Sequence, residues 1–362
     1  MREVRIGIIG SGGIAAAHAK AYKEMDDVKV VAVADVIPGK ATQFVENLEL
    51  SDARAFNNYQ ELLELELDGV SICTPNVAHH RTSIDSSLAG KHVLVEKPMA
   101  VTLEQAIEMT EVAKKAEKIL SIGFQPRYDP NMQAVKEIVQ SGKLGNVYYV
   151  ETGGGRRRGM PRGTFINKEL AGAGAMADIG CYSLDLVLHA LGNPKPLTVS
   201  AYTSNHFGTN PVYHPEADQF EVEDFAVAIV RLEGGKVLNF KTSWAMHMDT
   251  LGATMFLGTS AGLKLTPAGS GPWSGVWDGG IGSISLFHDV MGHHVDSAIP
   301  VKTHQLNIFA EKVRDFVVSV KGGKPAPIPG EQILINQAIV DGALRSAAQG
   351  QEVRIDLPEW VK

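Results

Sequence analysis

A short apolar run at the start of the chain leads into a glycine-rich turn, and this order constrains the fold more than any other stretch. Val4 to Ile9 is rich in β-branched residues, as a buried strand requires, and Ala15 to Tyr22 has the alanine-rich composition of a helix. The turn between them follows the pattern G-x-G-x-x-A, in which the glycines allow a tight turn and close approach of the backbone to a pyrophosphate. The sequence therefore predicts a dinucleotide-binding unit with the pyrophosphate on the helix N-terminus. The predicted cofactor contacts in this turn are Gly10, Gly12, Gly13 and Ile14, and Ala15 supplies the small third position.

An acidic residue ends the second predicted strand, Val28 to Ala34. Asp35 lies 25 positions after Gly10, where a carboxylate in this fold accepts hydrogen bonds from the adenosine ribose. It would repel a 2′-phosphate, and Val36 to Pro38 adds no arginine or lysine to bind one. The predicted cofactor is therefore NAD rather than NADP. Taken alone, Asp35 is equally compatible with a turn or N-cap residue, and the glycine turn favours the ribose role.

The composition is that of a globular protein of about two domains. Of 362 residues, 44% are hydrophobic and 21% are charged, and no apolar run approaches the ~20 residues of a membrane span. A net charge of −7 argues against a nucleic-acid or anionic-membrane partner. The two cysteines, Cys73 and Cys181, lie in apolar stretches, and the chain enters a strand without a signal peptide. A cytoplasmic location is expected.

Two more predicted strands end in polar residues, at the edge where open parallel sheets bind ligands. The strand ending at Cys73 is followed by Thr74 and Asn76, and the strand ending at Val95 leads into Glu-Lys-Pro. A lysine here, Lys97, can hydrogen-bond a substrate hydroxyl and stabilise the oxyanion that forms as hydride leaves. Taken alone, Lys97 more often marks an ordinary surface turn.

In their order and spacing, these motifs resemble those of the glucose–fructose oxidoreductase, inositol 2-dehydrogenase and rhizopine-catabolism enzymes, the Gfo/Idh/MocA family. The resemblance covers nearly the whole chain, and Glu-Lys-Pro after a strand is its most specific element. It implies that Lys97 is catalytic and that Pro98 follows a cis peptide bond. It also implies cofactor contacts from Thr74, Asn76, His79, Glu96, Lys97 and Gln125, although Gln125 stands where family members more often have Asn.

The alternation of strands and helices stops at Phe124, and a proline-containing linker follows. Beyond it, several runs alternate as antiparallel strands do, and Gly234-Gly235 predicts a two-residue hairpin turn between two of them. The predicted fold is α/β. It comprises an N-terminal NAD-binding Rossmann domain over residues 1–124 and a C-terminal α+β domain over 125–362 for substrate binding and oligomerisation. The open, mostly antiparallel sheet of the second domain predicts a homo-oligomer, either a dimer, a tetramer or a larger assembly.

A predicted helix from Ala177 to Leu191 carries the second group of candidates. Asp178, Tyr182 and Asp185 fall on one helix face, so a carboxylate and a hydroxyl can hold a polyol. Without context, Asp178 equally suits a helix N-terminus and Tyr182 the core. The resemblance assigns both to catalysis and substrate binding, although many sugar-oxidising members have His at the position of Tyr182. Because free tyrosine titrates at about 10, the identity of the base stays open.

Three further stretches are rich in basic or aromatic residues. Arg156 to Arg158 can grip a phosphate or carboxylate, although such runs are more often solvated. The resemblance assigns Arg157 to the nicotinamide or the substrate. His288 to Asp296 has no standard metal spacing and predicts a flexible loop, so no metal is expected. The aromatic residues of Pro272 to Trp277 are candidates for stacking on a sugar ring.

The expected function is NAD-dependent oxidation of a secondary hydroxyl of a sugar, glycoside or cyclitol, with C-3 of a glycoside favoured. The catalytic candidates are Lys97, Asp178 and Tyr182, and the candidates for substrate binding are these three and Arg157. Two alternatives remain. One is a redox glycosidase that oxidises C-3 transiently and keeps its NAD, and the other is a NAD-sensing protein without turnover.

Overall fold

The computed structural model describes residues 3–267, 281–302 and 306–361. The chain divides into two compact units, one of residues 1–125 and 306–334 and the other of residues 126–305 and 335–362. The predicted second domain began at residue 125 and included 306–334, whereas in the structure that stretch packs with the first unit. In the described ranges, no helix is long and apolar enough to cross a membrane. The aromatic candidates at 272–277 lie outside the described residues.

The first unit is a parallel sheet with intervening helices, as the Rossmann prediction required. Its strands are β1 (Val4–Ile9), β2 (Val28–Ala34), β3 (Arg54–Phe56), β4 (Gly69–Ile72), β5 (His92–Val95) and β6 (Leu120–Ile122). They pair in the order β3-β2-β1-β4-β5-β6. The helices are α1 (Gly13–Lys23), α2 (Lys40–Asn47), α3 (Tyr59–Leu63), α4 (Asn76–Leu88) and α5 (Leu103–Lys115).

A helix from late in the chain completes the core of this unit. Helix α9 (Ile308–Gly322) buries Val313 and Phe316 in one cluster with residues of β1 and α1. Phe316 lies so close to β4 that a Cβ on Gly69 would meet its ring at 3.2 Å. This apolar stripe, repeating every three to four residues, explains why residues 306–334 join the first unit.

The second unit is a mixed, mostly antiparallel sheet. Its strands are β7 (Val147–Gly155), β8 (Pro196–Ser204), β9 (Phe225–Leu232), β10 (Lys236–Ser243), β11 (Thr254–Gly258), β12 (Ala261–Pro267), β13 (Ile281–Val290), β14 (His293–Ile299) and β15 (Val353–Arg354). They pair in the order β14-β13-β12-β11-β7-β10-β9-β8-β15, and β7 and β10 are the parallel pair. The remaining helices are α6 (Pro130–Gln140), α7 (Lys168–Ala171), α8 (Cys181–Leu191) and α10 (Gly330–Gln349). The predicted open, mostly antiparallel sheet is confirmed.

Two predicted turns have different outcomes. The predicted hairpin between β9 and β10 is present, with Gly234 and Gly235 at positive φ, but the predicted two-residue turn is wrong, because Leu232 pairs with Lys236 and the loop has three residues. The flexible loop predicted for 288–296 is wrong, because β13 and β14 form a hairpin there. Its side chains are largely exposed, so a polar composition is compatible with a strand.

Candidate active site

The glycine-rich turn has the shape that a dinucleotide requires. Gly10 has a φ of +91°, and a Cβ there would lie 2.5 Å from the carbonyl oxygen of Cys73, so only glycine fits. At Gly12 and Gly13, no atom of the described residues lies within 4 Å of an added Cβ. No described side chain caps α1, whose first N–H groups are therefore left for a pyrophosphate. Beside the end of β4, the buried Oγ1 of Thr74 has no hydrogen-bond partner among the described residues, which also fits a bound cofactor.

Asp35 is held as an ionised carboxylate at the end of β2. It accepts hydrogen bonds from the Ser11 N–H at 3.0 Å, the Ser11 hydroxyl at 2.6 Å and the Ile37 N–H at 3.0 Å. The Lys40 ammonium lies 3.1 Å from the same carboxylate. Although burial opposes ionisation, these bonds keep the pKa of Asp35 below its usual value. Lys40 was not predicted as part of the site, and the turn at Gly39 places it at the first position of α2.

Two of the predicted cofactor contacts, His79 and Glu96, have partners within the protein. The ring nitrogens of His79 lie 2.8 Å from the Pro98 carbonyl oxygen and 3.0 Å from that of Thr74, and burial lowers the pKa of the ring. His79 therefore joins the segments that follow two strands, and its contact with the cofactor stays a prediction. Glu96 is buried, and its Oε1 accepts hydrogen bonds from His18 and Lys312. Both residues thus make hydrogen bonds that stabilise the segments following β4 and β5.

The other predicted residues of the first unit lie at the ends of its strands or helices. Ile14 and Asn76 lie in the first turns of α1 and α4, and Gln125 is buried at the end of the unit. Lys97 follows β5 and is half-buried. The peptide bond between Lys97 and Pro98 is cis, which confirms what the resemblance implied.

Asp178 lies in a turn of π-helix, Met176–Gly180, which leads directly into α8. Its Oδ2 accepts a hydrogen bond from the Trp244 indole N–H at 2.9 Å and lies 3.6 Å from an Arg156 nitrogen. A regular α-helix was predicted from Ala177, so the wider turn is a difference. Turns of π-helix are frequent at functional sites.

Glu223 explains why the chain folds this way before Asp178. Its carboxylate accepts the backbone N–H groups of Gly174 and Met176, both at 2.9 Å. A Cβ on Gly174 would lie 2.1 Å from the Glu223 carbonyl oxygen, so glycine is required for this approach. The first turn before Asp178 is therefore fixed by a buried side chain from a distant part of the sequence.

Tyr182 is buried and lines a small cavity together with Arg127, Asp185 and His189. Arg127 donates two hydrogen bonds to the Asp185 carboxylate, at 2.8 and 2.7 Å. Burial, with the Arg127 charge, lowers the pKa of His189 to about 3. Asp178 and Asp185, which were predicted on one helix face, therefore have different partners: Asp178 bonds Trp244, and Asp185 bonds Arg127.

The arginine next to Asp178 is Arg156, and the contact of Arg157 with the nicotinamide or the substrate stays a prediction. Arg156 is buried and donates to the Gly159 carbonyl oxygen at 2.8 Å, whereas Arg157 is exposed. Burial lowers the pKa of Arg156, whereas Asp178 and Tyr182 act in the opposite direction. The charge of Arg156 therefore lies within electrostatic reach of both residues. Strand alternation does not single it out, because Gly154 and Gly155, which end β7, are both buried.

A glycine-rich turn with a carboxylate at the end of β2, and a second unit in which Arg156 lies close to Asp178 and within electrostatic reach of Tyr182, are features expected of a nicotinamide-dependent oxidoreductase. Residues 4–124 match the model of the oxidoreductase family with an NAD-binding Rossmann fold, and residues 132–264 match the GFO/IDH/MocA C-terminal domain. The chain belongs to the Gfo/Idh/MocA oxidoreductase family. It is an NAD-dependent enzyme.

Similarity to individual proteins extends over most of the chain. It is 34% identical to the D-glucoside 3-dehydrogenase of Escherichia coli (strain K12) over 73% of this chain and 78% of that protein. It is 30% identical to the glucose-6-phosphate 3-dehydrogenase of Bacillus subtilis (strain 168), over 66% and 67% of the respective lengths. Its fold matches levoglucosan dehydrogenase in complex with NADH with a TM-score of 0.83 at 18% identity, covering 99% of this chain and 100% of that one.

The position of Lys40 predicts how strongly the enzyme discriminates between cofactors. Its charge partly neutralises Asp35, which would otherwise repel the 2′-phosphate of NADPH. Lys40→Ala should therefore raise the ratio of the NADPH and NADH dissociation constants by roughly two- to fivefold, the range of a half-exposed ion pair. Fluorescence titration with each nucleotide measures this ratio. Lys115→Ala is the control, and an unchanged ratio in Lys40→Ala would remove Lys40 from cofactor selection.

Proposed function

We propose that this enzyme oxidises a secondary hydroxyl of a sugar, and specifically C-3 of a glucoside, with transfer of hydride to NAD. The observation that carries this proposal is the similarity to D-glucoside 3-dehydrogenase. The name of the glucose-6-phosphate relative specifies the same position. The buried polar groups of the second unit suit a polyol, since a carboxylate can accept hydrogen bonds from neighbouring hydroxyls.

In this proposal Lys97 binds the reacting hydroxyl. Its ammonium group orients the hydroxyl and stabilises the alkoxide as the C–H bond breaks. The bound NAD supplies the hydride acceptor. The residues that fit it are the turn from Gly10 to Gly13, Asp35 and Thr74.

On the second unit, Asp178 fixes the hydroxyls next to the reacting one. The Trp244 indole N–H donates a hydrogen bond to one oxygen of the Asp178 carboxylate, so the carboxylate is oriented before substrate binds. Tyr182 accepts the proton. Arg156, which the sequence pattern did not indicate, places a positive charge within electrostatic reach of the Tyr182 hydroxyl.

A panel of substrates tests the proposed reaction. Purified enzyme with NAD should form NADH with at least one glucoside, followed by absorbance, and NMR of the product should show a ketone at C-3. Free glucose and inositols complete the panel. Release of the aglycone without net NADH would contradict the proposal in favour of a redox glycosidase. Cofactor binding without any turnover would instead favour a NAD-sensing protein.

Lys97→Ala should lower kcat by on the order of 10²–10⁴, the usual loss for a proton-transfer or oxyanion-stabilising group. NADH affinity should persist, because the glycine turn and Asp35 do not depend on this side chain. Steady-state kinetics and NADH titration separate the two effects, and Lys115→Ala serves as the exposed-lysine control. Near-normal turnover in Lys97→Ala would exclude Lys97 from the mechanism.

Tyr182→Phe tests the proton acceptor while keeping the packing of the ring. If Tyr182 is the base, kcat should fall while KM changes by less than about tenfold, or ~1.4 kcal/mol. The limb of the pH–rate profile that belongs to the base should disappear as well. A raised KM with an intact limb would instead show that Tyr182 positions the sugar and that another group takes the proton.

We also propose that the open sheet face of the second unit forms a homo-oligomer. On β9, Ala226, Ala228 and Val230 are buried on one face, whereas Ile229 is 52% exposed on the other. On the neighbouring β8, Tyr202 is 55% exposed on the same side, opposite Val227. An exposed apolar face of this kind is typical of subunit interfaces. The cytoplasmic location stays a prediction.

Ile229→Lys should therefore shift the protein toward monomers, because a charge would be desolvated at the interface. Light scattering after size-exclusion chromatography measures the mass. Leu88→Lys, on α4 of the first unit and 68% exposed in the wild-type chain, is the matched control and should leave the mass unchanged. Equal masses for both variants and the wild type would refute this interface.

A further inference from the structure

Three ionisable side chains, Glu96, His18 and Lys312, meet in the core of the Rossmann unit. One of them, Glu96, directly precedes Lys97 in the sequence. The Oε1 atom of Glu96 accepts a hydrogen bond from His18 Nε2 at 2.8 Å and another from the Lys312 ammonium. Exposure is 6% for Glu96, 0% for His18 and 1% for Lys312. Lys312 lies on α9, 216 positions after Glu96, so the sequence pattern gave no sign of the pair.

The direction of each hydrogen bond in this cluster can be assigned. An ionised carboxylate only accepts, so His18 donates through Nε2, and its Nδ1, 3.0 Å from Ser71 Oγ, accepts from that hydroxyl. Tyr22, whose hydroxyl lies 2.8 Å from the same oxygen, then donates to Ser71. All four bonds therefore lead toward Glu96.

The charges of the cluster agree with this direction. Burial and the Lys312 charge lower the pKa of His18, so its ring is neutral. Burial would raise the pKa of Glu96, but Lys312 and His18 hold it far below its usual range. Burial also raises the pKa of Tyr22, which therefore remains a donor.

Stability alone does not account for such a cluster. Desolvation of two charges cancels most of their attraction, and apolar residues of similar volume often stabilise a core equally well. Its distinctive consequence is geometric. A Cβ on Gly123, at the end of β6, would lie 2.7 Å from Glu96 Oε1, so the carboxylate occupies a tightly bounded position. The residue that follows this fixed carboxylate is Lys97.

We propose that Lys312 and His18 are positioning residues: by holding Glu96 at the end of β5, they fix the backbone from which the Lys97 amine reaches the substrate hydroxyl. The inference rests on the catalytic part that the proposed function gives to Lys97. Helix α9 then has two roles. It completes the core of the Rossmann unit, and through Lys312 it positions the catalytic lysine.

Lys312→Met tests the proposal, with the sugar that the wild-type enzyme oxidises as substrate. Loss of the ion pair should lower kcat about tenfold or more, as expected for a misplaced catalytic group, while the NADH dissociation constant changes less than about threefold. Phe316→Leu is the matched control, since it lies one turn further along α9 and loses packing without a charge. Its kcat should stay within about twofold of wild type at a temperature where both variants are folded.

A double-mutant cycle distinguishes positioning from a purely structural role. If Lys312 acts through Lys97, then Lys312→Met should lower kcat no further in a Lys97→Ala background. Additive losses, or equal losses in Lys312→Met and Phe316→Leu, would overturn the proposal. Should Lys312→Met not fold, Lys312→Met with Glu96→Gln removes both charges. A kcat within threefold of wild type in that variant would likewise overturn it.

Failure of this inference is distinguishable from failure of the proposed function. If the wild-type enzyme oxidises none of the sugars, the proposed function fails. If it oxidises one and the Lys312 variants match wild type, only the positioning role is lost.

Discussion

The close approach of two parallel strands at their carboxyl ends is the constraint on which the first unit depends. The turn after β1 comes so near β4 that no side chain fits at Gly10. Because parallel strands end at one edge of the sheet, that contact gathers Gly12, Asp35, Thr74 and Lys97 along the same edge. Partners within the protein hold polar residues at this edge. Ser11 donates a hydrogen bond to Asp35, and Lys312 donates one to Glu96, the residue before Lys97.

The second unit solves a different problem, because its site candidates lie at loop and helix ends rather than on one sheet edge. Two adjacent buried carboxylates organise these segments. Glu223 accepts N–H groups from Gly174 and Met176, and Asp224 accepts those of Phe207 and Gly208. Burial raises the pKa of both acids, so their charges are costly, and the backbone N–H bonds offset part of that cost. The Asp224 backbone carbonyl also accepts the backbone N–H of Trp244. Asp224 is thereby connected to the residue whose indole N–H bonds Asp178.

Sequence was sufficient wherever the determining interactions are local. The strand, glycine turn and helix of residues 4–23 are encoded within some twenty positions, and the Glu-Lys-Pro segment after β5 is equally compact. Lys40 is an exception: it lies close to Asp35 in sequence, just beyond Val36 to Pro38, and the turn at Gly39 brings it back to the carboxylate. Lys312 was missed because it meets Glu96, 216 positions away, only after the chain has folded. The π-helical turn at Asp178 was missed for the same reason, since the cause, Glu223, is distant in sequence. Arg156 was not distinguished from Arg157, because Gly154 and Gly155 before it are both buried and strand alternation gives no guide there.

The candidate groups of the two units share one electrostatic arrangement. Before Lys97, the Glu96 carboxylate is neutralised by Lys312 within the core, and beside Tyr182, the Arg156 charge is opposed by Asp178. In both places opposite charges lie close together where water is largely excluded, so each field is strong at short range and weak beyond it. A local field of this kind can act on one substrate hydroxyl without attracting ions from solution. It also makes each candidate group sensitive to the loss of a partner that never touches the substrate, because the remaining charge would then be buried without compensation.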